Sequence, residues 1–286
     1  MSQRIYLVII VLFVFTANTA ISGTYRVFLK DKGPEKFEIG SSLYNTTLQI
    51  HSEKCLQRRA KVLKKDSLIS ISDAPVYNNY IEQIKFQGAK ILLKLRWRNY
   101  LVVECDSLTA LNIESLPFVR AVKPTGSKLF PLTSIEKNQK SFTSAVKEIF
   151  ISSYSNCGYY SYGNSYNQAN LMNVPFLHKL GIGGQDILLG VLDTGFGWRK
   201  HSATQNINVI AEHDFIFDDD TTSLQEPDNP GQENHGTAVL STITGYSQGN
   251  LIGIAPSVSV MLAKTEDLRS ETRIEEDNYA AGIEWL

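Results

Sequence analysis

The sequence predicts two units in tandem, a small α+β unit and then an α/β domain on a parallel sheet. Three observations carry this. The runs DILLGVLD, INVIAEHDF and VSVMLAK in the second half are near-continuously apolar, as in parallel strands buried on both faces. HGTAVLSTITG follows the second run and TRIEEDNYAAGIEWL the third, both with helical character, so the order is strand, strand, helix, strand, helix. In the first half, AKILLKLRW and NYLVVEC instead read as a hairpin around Arg98 and Asn99, flanked by helical patterns.

Taken in order, the chain opens on MSQRIYLVIIVLFVFTANTAISG, with Arg4, an apolar run from Ile5 to Phe15 and small residues before a predicted cut after Ser22. The run is short of the roughly 20 residues that span a bilayer, so residues 1–22 read as a secretory signal peptide. No later segment is apolar enough to form a stable membrane span in the mature chain, which is therefore expected to be secreted and extracellular. TYRVFL is a predicted strand, and EKCLQRRAKVLKKDS a basic helix with a solvated face. Pro75 opens a helix on which Val76, Tyr80, Ile81 and Ile84 share one side and which Gly88 closes. SLTALNIESL is helical up to Pro117, and FVRAVKP is a final strand. Residues 23–124 thus form the α+β unit, an open-faced sandwich. The polar, turn-prone residues 125–166 read as a linker or processing region, and residues 167–286 as the α/β unit, opened by the short helix VPFLHKLGIGG.

A formal charge of -1 gives no reason to expect a nucleic-acid partner. Cys55, Cys105 and Cys157 allow at most one disulfide, of unspecified pairing, and their spacing fits no zinc site.

Ligands of parallel sheets sit beyond the carboxyl ends of the strands, which draws attention to Asp193 in the sequence Asp-Thr-Gly. An aspartate capping a turn is the plain alternative. An aspartic protease would need a second such carboxylate in an all-β body, and neither is present in the sequence. His235 opens the helix after the second strand and can face Asp193 at the same sheet edge. A buried carboxylate there would fix the imidazole tautomer and leave the other ring nitrogen free as a general base.

ILLGVLDTGFG, NHGTAVLSTITG and LIGIAPSVSVMLAK, in that order, resemble the aspartate, histidine and following-strand motifs of the subtilisin-like serine proteases. The resemblance implies an incomplete doubly wound parallel-sheet catalytic domain at 167–286, with Asp193 orienting and His235 as base. It also implies that 23–124 is an inhibitory propeptide, an intramolecular partner of the enzyme, through QRRAK, DAPVYNNYI and LPFVRAVKP. AGIEWL is similar to the family helix before the strand that leads to the oxyanion asparagine. Neither that asparagine nor the nucleophilic serine falls before Leu286, and Ser202, Ser241 and Ser247 stand in other motif contexts. The expected activity is hydrolysis of polypeptides by an Asp-His-Ser triad whose serine follows Leu286; the alternative is a non-catalytic secreted fragment that binds proteases. No cofactor is expected for catalysis. The resemblance admits structural calcium, although FIFDDDTTSLQEPDNPGQEN lacks calcium-loop spacing and reads as a solvated acidic loop. His201 and His213 do not combine with His235 into a zinc motif, and His51 and His178 read as surface or core residues without function.

Overall fold

The computed structural model describes residues 22–125, 160–270 and 272–286; the predicted leader up to residue 21, Cys157 and most of the predicted linker lie outside the described residues. β1 (Ser22–Leu29) begins where the predicted leader ends. Next come α1 (Ser42–Gln49) and α2 (Glu53–Ala60), each started by a serine whose hydroxyl accepts a hydrogen bond from a backbone N–H three residues on. α3 (Asn78–Phe86), the hairpin β2 (Lys90–Leu95) and β3 (Tyr100–Asp106), α4 (Ser107–Glu114) and β4 (Val119–Pro124) complete the first unit. Its sheet is antiparallel throughout, in the order β2-β3-β1-β4. The hairpin turns at Asn99, whose φ of 51° lies in the left-handed region that asparagine tolerates.

Strand alternation gives this sheet two different faces. Val27, Leu29, Leu101 and Val103 pack on Ile81 and Ile84 of α3 and Ala110 and Ile113 of α4. Burial of each valine, leucine or isoleucine among them contributes about 1.5–3 kcal/mol before chain entropy is counted. The other face carries Leu95, Tyr100 and Val102.

The second unit runs α5 (Tyr166–Leu171), α6 (Val174–Lys179), β5 (Leu188–Asp193), β6 (Asn208–Asp214), α7 (Asn234–Thr244), the short hairpin β7 (Tyr246–Ser247) and β8 (Leu251–Ile252), β9 (Ser259–Lys264) and α8 (Ile274–Trp285). Its larger sheet is parallel, ordered β5-β9-β6, as the strand and helix succession predicts. Phe196, Leu240, Val260 and Leu262 fill the core between this sheet and α7. α8 lies between the two sheets. On one side a Cβ at Gly282 would come within 2.8 Å of Leu192 and 3.0 Å of Thr265. On the other, Ile274 and Ala280 pack against the Leu95–Tyr100–Val102 face.

Two expectations, of strand burial and of the basic helix, are corrected. Only the central strand β9 is buried as predicted; Leu188 and Ile210 are exposed, because among the described residues β5 and β6 each have a single neighbour. The basic stretch is α-helical only over α2, with a single 3-10 turn at Lys65–Ser67, and its Arg59 does not simply face solvent: it holds Asp73 at 2.9 Å and the Leu68 carbonyl at 2.9 Å. Cys55 and Cys105 are free thiols. His178 is a core residue between the Tyr162 hydroxyl at 2.5 Å and the Ile254 carbonyl at 3.1 Å. No helix among the described residues is long and apolar enough to cross a membrane.

Candidate active site

Asp193 is the last residue of β5, 7 % exposed, and its own carbonyl accepts from Thr265 N at 3.0 Å, which ties the ends of β5 and β9 together. One carboxylate oxygen accepts from the backbone N–H and hydroxyl of Thr194, at 2.7 and 2.9 Å. These bonds and the burial fix the direction of the carboxylate. Gly195 then turns the chain at φ 148°, a conformation that side chains rarely adopt.

His235 lies in the first turn of α7 with Nδ1 at 2.9 and 3.0 Å from the two Asp193 oxygens. The pair predicted from sequence, 42 positions apart, is brought into direct contact. Glycine at 236 makes the approach possible: a Cβ there would lie 2.2 Å from the Gly195 carbonyl oxygen and 3.1 Å from Asp193 Cβ. While Asp193 is 10 % exposed in its side chain, His235 is 72 % exposed, so the edge of the ring carrying Nε2 is open to a reactant. The hydrogen bond and charge of Asp193, with a smaller contribution from Glu266, raise the imidazole pKa above its ordinary 6.5. The pair stabilises the fold fully below pH 6.5, and that contribution is lost as the pH rises through the higher folded value, where the neutral imidazole becomes available as a base.

Sequence reasoning missed the braces around this pair. Gln232 is fully buried; its Nε2 donates to the carbonyls of Thr194 at 2.6 Å and Glu266 at 2.5 Å, and its Oε1 accepts from Leu268 N at 3.0 Å. One side chain thereby locks the aspartate turn, the approach to α7 and the exit from β9. Thr237 accepts from Gly197 N at 2.7 Å, and Glu233 holds Leu224 N at 2.7 Å and Lys200 at 3.0 Å.

The predicted solvated acidic loop is only partly solvated. Asp228 from that loop and Asp214 at the end of β6 close on Lys264 Nζ at 2.7 and 2.8 Å, with all three side chains at 0 % exposure. Asp218 and Asp220 are exposed and flank His213 at 3.6 and 3.1 Å. Among the described residues no three His, Cys, Asp or Glu side chains are grouped so as to hold a metal ion.

Residues 184–286 match the subtilase family, and residues 24–143 match the Peptidase S8 propeptide domain of Bacteroidota. No curated protein matches the chain. Among solved structures, the complex of Aeromonas sobria serine protease (ASP) with the chaperone (ORF2) is similar over 38 % of this chain at 24 % identity, with a TM-score of 0.31. This chain spans 17 % of the length of that one.

Proposed function

We propose, from the match of residues 184–286 to the subtilase family and of residues 24–143 to a Peptidase S8 propeptide domain, that the chain is part of the precursor of an exported endopeptidase. The observation that carries the proposal is the contact of His235 Nδ1 with a buried Asp193 at the carboxyl end of a parallel sheet, the ring otherwise open. In this reading Asp193 holds the imidazole tautomer and stabilises the imidazolium, and Nε2 of His235 takes the proton of a serine hydroxyl. In a chain extended past Leu286 the serine attacks the peptide carbonyl, His235 returns the proton to the amine that departs as the C–N bond breaks, and water activated by the same imidazole then hydrolyses the acyl-enzyme and restores the serine. Polypeptides are the substrates. The sheet unit preceding the catalytic sheet acts as an intramolecular inhibitor until a cut within residues 125–166 releases it, and the leader directs the precursor out of the cell.

A serine-directed fluorophosphonate probe tests this on a chain extended past Leu286. Labelling is expected in the extended chain and is expected to vanish in His235→Ala. Undiminished labelling of that variant would remove His235 from the mechanism, and an extended chain that never labels would favour a non-catalytic protein.

A further inference from the structure

α8 presents two carboxylates to the antiparallel sheet, and they are read in different ways. Asp277 and Glu284 are seven residues apart, two helical turns, and so lie on one side of the helix with Ala280 between them. Glu284 accepts from the backbone N–H groups of Arg96 at 2.8 Å and Trp97 at 2.9 Å in the β2–β3 turn. Every residue but proline carries that donor; the Arg96 side chain adds only a bond from Nη2 to the Glu284 carbonyl at 2.8 Å and a longer ion pair at 3.9 Å. Asp277 is instead bonded by side chains of the sheet: Arg26 Nε on β1 lies 2.9 Å from both its oxygens, and the Tyr100 hydroxyl on β3 is 2.5 Å from one. The guanidinium is itself held, its Nη2 at 2.9 Å from the Arg273 carbonyl and 3.0 Å from Glu276. Asp277 is 1 % exposed, and its burial works against the anion that these donors stabilise.

We infer that Asp277 is the selectivity element of this interface: the α8 face accepts a propeptide-type sheet presenting arginine on its first strand and tyrosine on its third, and rejects a sheet that lacks the arginine. Rejection follows because a sheet without arginine still engages Glu284 and the apolar patch but strands Asp277 in a dry contact without its counter-charge. Lysine does not serve, since one ammonium cannot supply the guanidinium's separate donors to Asp277, Glu276 and the Arg273 carbonyl together. The inference rests on reading the first unit as a propeptide, and it concerns which propeptide is seated rather than whether peptide bonds are cut.

Amide hydrogen exchange in the whole 286-residue chain tests it without any proteolytic step. Arg26→Met is expected to speed exchange of the Arg96 and Trp97 amides and of α8 by on the order of a hundredfold, as when a buried charge pair loses one partner. Arg26→Lys should recover less than a tenth of that. In the Asp277→Asn background Arg26→Met should cost about tenfold or less, because no charge is stranded, and this non-additivity is the signature of selection. Amides of Val27, Leu101 and Val103 in the sheet core report whether the unit itself stays folded. Should Arg26→Met loosen those as well, Tyr100→Phe is the milder variant, expected to give about a tenfold effect confined to the interface and smaller in Asp277→Asn. Equal costs of Arg26→Met in the parent chain and in Asp277→Asn, or unchanged exchange in Arg26→Met, would overturn the inference.

Discussion

On the proposed function, Asp193→Asn in a chain extended past Leu286 is expected to lower kcat for peptide hydrolysis by about four orders of magnitude, the loss known for the corresponding change in a serine protease. The reason is local. The Asp193 carboxylate accepts from His235 Nδ1 at 2.9 Å and is itself oriented by Thr194 N and Oγ1. An amide can present its NH2 to the ring, which favours the tautomer with the proton on Nε2, where the base must be empty. Folding should be little changed, since asparagine fills the same space and the Thr194 bonds can persist. Steady-state kinetics beside a thermal melt check both halves, and a kcat within tenfold of the parent would show that Asp193 does not set the tautomer.

Lys264→Met is expected to cost about 3–5 kcal/mol of stability, the usual consequence of breaking a buried ion pair from one side. Lys264 Nζ is the charge partner that Asp214 and Asp228 share, and all three side chains are sealed from solvent. Methionine would leave two carboxylates in a dry site under the Phe217 ring, which the ammonium approaches to 4.7 Å. At roughly 2–4 °C per kcal/mol for a chain of this size, the melting temperature should fall by about 10 °C. The triple variant with Asp214→Asn and Asp228→Asn should regain much of the loss, because no charge then remains buried. A melting temperature unchanged in Lys264→Met would mean that the cluster is neutral or wet.

The parts of this architecture legible in the sequence are those with local signals. β5, α7 and β9 follow from apolar runs and a small-residue helix, and Asp193 and His235 from their places at the ends of those elements. The order of the motifs supplied the pairing of the two side chains; composition could not. What stayed hidden depends on distant partners. Nothing around Gln232 distinguishes a buried brace from a polar loop residue until Thr194, Glu266 and Leu268 converge on it. Lys264 reads as the polar end of a strand because its partners lie 36 and 50 positions away. α1 and α5 are short polar helices with weak periodicity, started by local capping or packing rather than by an apolar stripe. Arg26 and Asp277 meet across 251 positions, so the contact between the two units is invisible to any window along the chain.

NMR titration of the five histidine rings of this chain, with Asp193→Asn as the assigning and control variant, tests the coupling of Asp193 to His235 most directly. His235 is expected to titrate above the ordinary 6.5, with a midpoint that falls in Asp193→Asn while the other rings stay where they were. A His235 midpoint at or below 6.5 that the substitution leaves unmoved would contradict it, because the imidazole would then be an exposed side chain at a helix start with no carboxylate directing it.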